Sequence, residues 1–553
     1  MHRSLAPYFK IRIVIRRKAN RFLSADLRAL AALRVGLALL VIWDLAVRAS
    51  DLSCHYSDTG ILPRAARILI FDMDGETGIQ NWWSLHLISG ALWFQAALFV
   101  AASLFALQLL VGYRTRLATI LTWVFLASVQ ARLPMMLQGG DSLLRLLLFW
   151  GMFLPLGAVW SVDQCATCIT STLRPKLYRY SSIATAALIL QIAIMYLCNA
   201  IAKHSPVWHT DHTAIYYVLS LDIYVTRIGK LLLEYSGLMS LFTATTLWLE
   251  WLVPFALFSP WKTGFVRVIL IVLFWCFHAG LAICLNVGLL SYVAMVAWLV
   301  FLPTGFWDAA ERIVRRKLTH WPVPAFLKLR TLYRPQQVLS KPLGLLSSTF
   351  IGLALSYVVA WNAMLIHSNQ VVTWPAWLCT PGQILRLEQQ WVMFAPVPMT
   401  DDGWFVLRGT LMDGSEVNLW EPSQPLSYEK PRHGADFFPN HRWRKYFVNF
   451  ISHPDARLLS CLADWLARKW NEGQAKGDPE KVIRTVQILI MTDLTSPPGE
   501  MPEPHQALEL WHWDYENAEP VPWQSIKPTS AILPVDLIRR ISLKASRCSR
   551  FPI

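Results

Sequence analysis

Residues 181–204 read SSIATAALILQIAIMYLCNAIAKH. From Ser181 to Ala202 there are 22 residues without a charge, rich in Ala, Ile and Leu. A helix crossing the hydrocarbon of a bilayer needs roughly 20 mostly apolar residues. Lipid offers the backbone no hydrogen-bond partner, so the segment must satisfy its own. The stretch is therefore a membrane span, and it ends on Lys203. Eight further segments read the same way: Leu27–Val47, Ala91–Val111, Leu117–Leu133, Ser142–Trp160, Ser240–Phe258, Val266–Leu285, Val287–Pro303 and Leu345–Ile366. Leu117–Leu133 carries Gln130 and Arg132 at its end, and Val287–Pro303 follows its predecessor with almost no loop. The expectation is a polytopic α-helical membrane protein of about nine spans.

Composition agrees. Of 553 residues, 54% are hydrophobic and 16% charged, with a mean hydropathy of +0.37. Soluble domains carry about 25% charged residues, so a wholly soluble, disordered or collagen-like chain is excluded. The net charge of +15 invites a nucleic-acid reading until the charges are located. Basic residues crowd the N-terminal tail (Arg3 to Arg21) and every second loop, at Arg114 and Arg116, at Arg174, Lys176 and Arg179, at Lys262 and Arg267, and from Arg312 to Lys341. Alternate loops are mixed or acidic, as at Asp51, Asp58, Asp72, Asp74 and Glu76. That alternation is the positive-inside pattern. It predicts a cytoplasmic N-terminus and places everything after Ile366 on the other face. The basic excess is an orientation signal, so no nucleic-acid partner is expected. Met1–Arg21 lacks a short apolar core and an Ala-x-Ala site, so no cleavable signal peptide is expected.

Four regions follow: a basic cytoplasmic tail (1–26), a transmembrane domain (27–366), an extracytoplasmic α+β or β-rich domain (371–496) and an extended C-terminal strap (497–553). Within the third, Trp404–Leu411 and Glu416–Trp420 alternate around Asp413-Gly414, a hairpin signal. Val482–Met491 reads as a buried strand. Arg442–Trp470 carries a helical pattern interrupted by Pro454. Phosphate loops, H-E-x-x-H and G-x-S-x-G are absent from the sequence, so kinase, zinc-protease and serine-hydrolase readings have no support. Cys165-x-x-Cys168 has no second pair to complete a metal site, and no metal is expected. Cys54 and Cys461 fall on the non-cytoplasmic side, where a bridge between the first outer loop and the soluble domain is conceivable.

Ionisable residues inside spans are costly and therefore functional candidates. Lys203 ends the fifth span, Glu250 lies inside the sixth and His278 inside the seventh. Lys203 either snorkels to the outer interface or is a buried amine able to act as a base. Glu250 either neutralises Lys203 or another cation, or lines a cavity with it. His278 is either a packed ring bonded to a carbonyl or part of the same cavity. After Lys203 come His204, Trp208, His209, Asp211 and His212, and Trp208–Val225 suits a re-entrant or interfacial helix.

Four stretches carry a family resemblance: Asn81-Trp82-Trp83-Ser84-Leu85 with Gly112-Tyr113-Arg114-Thr115-Arg116; Gly139-Gly140-Asp141 with Trp160-Ser161-Val162-Asp163; Tyr196 to Trp208 around Lys203; and Phe277-His278 with Gly288-Leu289-Leu290-Ser291-Tyr292. Gln390-Trp391-Val392-Met393-Phe394, the Asp413-Gly414 hairpin and Arg442-Trp443 extend it. With these the chain resembles the HTTM (horizontally transferred transmembrane) domain superfamily, which includes the vitamin K-dependent γ-carboxylases, from about Leu27 to Met491. The resemblance implies a carboxylase-like lyase that uses a reduced naphthoquinone of the vitamin K type, acts on a protein or peptide glutamate, and contacts membrane lipid. Lys203 would be the quinol base, with His278 and Asp141 as the other catalytic candidates. Trp208, Glu250, Tyr292 and His204 would line the quinone or substrate site. Likeness to bacterial members implies a bacterial inner membrane. The carboxylases carry a histidine where this chain has Gly140-Asp141. Asp141 then either replaces it as an acid/base group or caps the following helix. The other reading of the whole chain is a non-catalytic scaffold, lipid-handling or transport protein that retains the fold.

Overall fold

The protein is described from a computed structural model, over residues 22–72, 83–168, 179–259, 262–318, 344–367, 375–431, 434–452, 454–501 and 504–515. Six helices are long and apolar enough to cross a membrane: α1 (Leu27–Ala49), α2 (Leu92–Val111), α5 (Ile183–Ala202), α6 (Ser236–Ala256), α7 (Thr263–Cys284) and α10 (Leu345–His367). Between them lie α3 (Thr115–Arg132), α4 (Gly139–Gly151), α8 (Leu290–Trp298) and α9 (Thr304–Leu318). The protein is thus an integral membrane protein by the length and composition of its helices. A seventh span results if Leu290–Phe301 and Thr304–Val314, bent by 98°, count as one.

Three of the nine expected segments fall outside this set of six. Leu117–Leu133 is α3, whose buried side includes Gln130 and Arg132. Ser142–Trp160 is helical only over the last ten residues of the 13-residue α4, a helix about 20 Å long. Every residue of α4 from Gly140 to Gly151 is buried, so it is surrounded by protein rather than lipid. Val287–Pro303 breaks before α9. Exposed apolar rows on α2 (Trp93, Val100, Leu104), α7 (Val272, Leu273) and α10 (Leu346, Leu353) are the faces suited to lipid. Inward, Ala102 and Ala106 of α2 are buried where it packs on α1. Small residues four apart let two backbones approach, which is how helices associate without a hydrophobic drive.

The C-terminal domain holds a four-stranded antiparallel sheet in the order β4-β3-β5-β6, with β3 Asp401–Leu411, β4 Glu416–Asn418, β5 Ile483–Leu494 and β6 Gln506–Asp514. (β1, Ser24–Asp26, and β2, Arg179–Ser181, pair separately.) Gly414 turns the β3–β4 hairpin at φ +86°, a value that favours glycine, and Asp413 Oδ1 accepts the Ser415 N–H at 2.8 Å. Alternation decides the faces. Phe405, Leu407, Val486 and Ile488 pack with Phe447, Leu458 and Leu462 of α12 (His441–Ser452) and α13 (Ala456–Trp470). Trp404, Val406, Leu489 and Met491 form a small cluster on the other face.

The structure sharpens three expectations. Within the expected strap, Gln506–Asp514 forms a regular strand, β6, which pairs with β5 from Thr485↔Asp514 to Thr492↔Gln506. Residues 516–553 lie outside the described residues, as do 1–21. The change from bundle to soluble packing does not fall at residue 371. Leu387 and Trp391, which follow α11 (Ala376–Leu385), belong to the bundle core. Arg145 of α4 donates to the carbonyls of Arg386 (3.0 Å) and Glu388 (3.1 Å), and Trp361 of α10 donates to that of Gln389 (2.9 Å). Irregular backbone survives inside a bundle only with such partners. Cys54 and Cys461 are free thiols, not a bridge, although both flank Tyr446.

Candidate functional site

On α5, Tyr196, Asn199 and Lys203 recur at i, i+3 and i+7 and so share one face. All three are buried. Lys203 stands just past the last turn of α5, and its Nζ lies 2.6 Å from Glu250 Oε2 on α6. Asn199 Nδ2 donates to the other oxygen, Glu250 Oε1, at 2.9 Å. The Trp208 ring covers the ammonium, its centroid 5.0 Å from Nζ. Burial to 2% exposure excludes snorkelling to an interface. Taking both charges out of water costs several kcal/mol per ion, and the pair persists because each group supplies the other's counter-charge and a hydrogen bond.

His278 of α7 is buried about two turns along, as 1.5 Å per residue over the seven residues from Tyr196 to Lys203 gives roughly 10 Å. Its Nε2 lies 2.7 Å from Tyr196 Oη, not from a backbone carbonyl. Trp298 of α8 donates its indole N–H to that same oxygen at 2.9 Å. The direction of the Tyr196–His278 bond follows the ring tautomer. His278 Nδ1 is buried with no partner among the described residues. Asn199 Oδ1 is likewise buried and unpartnered. His278 lies among the rings of Tyr196, Phe274 and Trp298.

The other predicted residues divide. Trp208 is in place: its indole donates to the Phe394 carbonyl at 3.1 Å, and Ser205 Oγ donates to the Pro396 carbonyl at 2.6 Å. These bonds tie the Gln390–Phe394 motif to the lysine. His204 is exposed and Tyr292 lies edge-on to Trp43 at 5.0 Å on the outer surface, so neither joins the cluster. Trp208–Val225 is not one helix but two short ones, Pro206–His209 and Ala214–Ser220. Residue Asp141 is the third residue of α4, and its carboxylate accepts the Gln138 backbone N–H at 3.0 Å, the reciprocal half of a capping box. It also takes Arg48 (2.9 Å) and Arg442 (2.7 Å), while Asp44 takes the same two arginines. Two carboxylates and two guanidiniums thus neutralise one another in a buried square at the seam between bundle and sheet domain. Asp141 therefore sits in a structural knot that excludes it from the lysine cluster.

Two of the stretches singled out in the sequence form another knot. Asp163 accepts the backbone N–H groups of Arg114 and Thr115, each at 2.7 Å, capping α3, and Arg34 donates to the Trp160 carbonyl at 2.5 Å. The sequence reading missed Tyr196, Asn199 and Trp298, although the first two were visible as a polar stripe at helical spacing. In the sheet domain a cleft of about 800 Å³ opens between Asp51–Thr59 and α13, lined by Trp420, Phe437, Trp465, Arg468, Lys469 and Glu472 among others. Among the described residues no group of three His, Cys, Asp or Glu side chains gathers as metal ligands would. Comparison of the chain with protein-family models, with curated proteins and with solved structures finds no match.

Proposed function

We propose that the chain is a membrane-embedded enzyme of the HTTM type, carboxylase-like, in which Lys203 removes a proton from a reduced naphthoquinone. The observation that carries this reading is the buried Lys203–Glu250–Asn199 group under Trp208. An ammonium cannot act as a base. Shifting one proton from Lys203 Nζ to Glu250 leaves a neutral amine beside a neutral acid, and neither is then a charge in a poorly solvated site. The amine accepts a hydroxyl proton at Nζ, and the anion formed stays beside the new ammonium. Asn199 Oδ1 and His278 Nδ1 hold the ligand oxygens, and Trp208 with the Phe394 loop keeps water out. A reduced naphthoquinone supplies, with dioxygen, the strength of base that removal of a carbon-bound proton from a glutamate side chain requires. A protein or peptide substrate is the corresponding partner, and the mixed-charge outer cleft has room for one.

The proposed topology is nine membrane crossings in a bacterial inner membrane, with a cytoplasmic N-terminus and an extracytoplasmic sheet domain. Its support is the alternation of basic loops. The test of the chemistry uses purified protein in detergent with menaquinol or phylloquinol, scoring quinone epoxide by chromatography. Wild-type protein should form it and Lys203→Ala should not. No epoxide from wild type with either quinol refutes the reading. A second reading, a non-catalytic scaffold, lipid-handling or transport protein, draws on Asp141. It occupies the place of the family histidine and is bonded away in the seam. That reading expects Lys203→Ala to leave the function intact.

A further inference from the structure

Helix α9 is set apart from the spans by its direction. From Leu290 to Phe301 the chain runs inside the bundle, where α8 packs on α1, α4 and α7, and it then turns by 98° into α9. Pro303 stands at the turn and has no N–H to carry the preceding helix onward. Three helix starts mark the level at which the turn falls. Ser24–Asp26 pairs with Arg179–Ser181, so α1 and α5 begin side by side. Arg267, near the start of α7, donates to the Phe22 carbonyl at 2.5 Å, which brings α7 to the same end. Gly264 of α7 lies against Pro303, and a Cβ there would stand 3.6 Å from the proline Cβ. Arg28, in the first turn of α1, pairs with Asp308 (2.9 Å) and Glu311 (3.2 Å) of α9. Trp307 is buried edge-on to Trp160, 5.3 Å away. Helix α9 therefore lies across the end of the bundle at which α1, α5 and α7 begin.

The helix period sorts its residues into two faces. Phe306, Ala310, Ile313 and Val314 share one, and Asp308, Glu311, Arg312 and Arg316 fall on the other. The apolar face is uncovered: Phe306, Ile313 and Val314 are all exposed. On the polar face the two acids meet Arg28, while Arg312 and Arg316 are exposed. The run from Arg312 to Lys317 holds four basic residues and no acid. More basic residues stand at the same end, with Arg179 on β2 and Lys262 at the start of α7. The apolar row also has a neighbour of its own kind. Phe265 and Ile269 of α7 are exposed beside the Gly264–Pro303 contact and begin the lipid-suited row that continues through Val272 and Leu273. Hydrocarbon that borders α7 there reaches α9 as well, so the uncovered row needs no second protein. A basic face opposite an apolar one, at right angles to the neighbouring span, is the form of a helix lying in a membrane surface.

We propose that α9 is a surface anchor for anionic phospholipid, with Arg312 and Arg316 on the headgroups of one leaflet and Phe306, Ile313 and Val314 set into the upper part of its acyl chains. It is then not the second half of a broken span. The ion pairs to Arg28 and the buried Trp307 hold the helix at the depth where headgroup and hydrocarbon meet. A zwitterionic surface offers the apolar row the same burial but leaves the arginines without a net counter-charge. Each basic residue near an anionic surface strengthens binding by about fivefold. The anchor uses only the membrane character of the chain and stands whether or not Lys203 acts on a quinol.

The test places full-length protein, one chain per disc, in nanodiscs of phosphatidylcholine alone or of phosphatidylcholine mixed with phosphatidylglycerol. Hydrogen–deuterium exchange of the α9 amides is followed by mass spectrometry, with α1 and β5 amides as reporters of the intact fold. In the anionic discs α9 should exchange at least about tenfold more slowly, as two exposed arginines at roughly fivefold each imply, while α1 and β5 stay unchanged. Arg312→Gln with Arg316→Gln should remove the difference between the discs. Ile313→Ser should speed exchange of α9 in both. A membrane-crossing α9 would be equally protected in the two discs and indifferent to the arginine variant. A helix awaiting another protein would be equally unprotected in both. Either result, or a lipid difference that survives in the folded double variant, overturns the proposal.

Discussion

Replacing Glu250 by Gln removes the counter-charge of Lys203 while keeping size and shape. The two groups are 2.6 Å apart, and their side chains are 2% and 4% exposed. At an effective dielectric of about 20, their Coulomb attraction is on the order of 6 kcal/mol. Most of that offsets desolvation, so the net worth of the pair is small, but stripping one partner strands a buried charge. The expected loss for Glu250→Gln is about 3–5 kcal/mol. The double variant Lys203→Met/Glu250→Leu removes both charges and should recover stability to within about 1–2 kcal/mol of wild type, or exceed it. The cycle of four proteins should therefore give a coupling of at least about 3 kcal/mol. Reversible unfolding in mixed detergent micelles, followed by tryptophan fluorescence, measures it. If Glu250→Gln costs less than about 1 kcal/mol, or if the double variant loses the sum of the single losses, the pair is solvated. The buried-base argument then fails with it. The double variant also separates stability from chemistry, since it should fold well and form no quinone epoxide.

Arg442→Met deprives Asp44 and Asp141 of a shared cation and should cost about 3–5 kcal/mol in the same assay; a loss under about 1 kcal/mol would contradict the buried square. Tyr196→Phe orphans His278 Nε2 and the Trp298 indole and should cost about 1–3 kcal/mol, leaving Glu250→Gln with its full effect. Asp402 on β3 gives a pH dependence. Burial, with Asp222 beside it, pushes its carboxyl up to about 7, above the 3.8 of an ordinary aspartate. The folded protein then holds that proton more tightly than the unfolded chain, so the contribution is full below about pH 4 and is lost as pH rises to about 7. Asp402→Asn lacks this loss. Its stability relative to wild type should rise by up to about 4 kcal/mol between pH 4 and pH 8, three pKa units at roughly 1.4 kcal/mol each. A difference that does not change with pH excludes the shift.

Much of the bundle was legible because lipid imposes a local rule. Each span must be apolar over its own length and satisfy its own backbone, so α1, α2, α5, α6, α7 and α10 can be read one at a time. Failure came where neighbours replace lipid. Helix α4 carries Asp141 and Arg145 and is short, yet it is wholly buried because Arg48, Arg442, Gln130 and Glu388 supply its partners. Residues 386–391 look soluble from composition, with Arg386, Glu388, Gln389 and Gln390. They nonetheless enter the bundle because Arg145, Gln191 and Trp361 bond them. Strand β6 escaped notice because its period is broken by a register shift at Ile488/Leu489 and its side chains are half-exposed.

The site divides along the same line. Composition alone nominated Lys203, Glu250 and His278, since a charge or imidazole in an apolar run has no local excuse. It could not say which groups meet. That Lys203 pairs with Glu250, that His278 instead meets Tyr196, and that Asp141 belongs to the seam were decided by how α4, α5, α6, α7 and α12 pack. Periodicity and hydropathy are properties of neighbours in the chain, and they determined the spans, the hairpin and the list of suspects. A counter-ion or a hydrogen-bond partner comes from a residue tens or hundreds of positions away, and only the tertiary structure chose it.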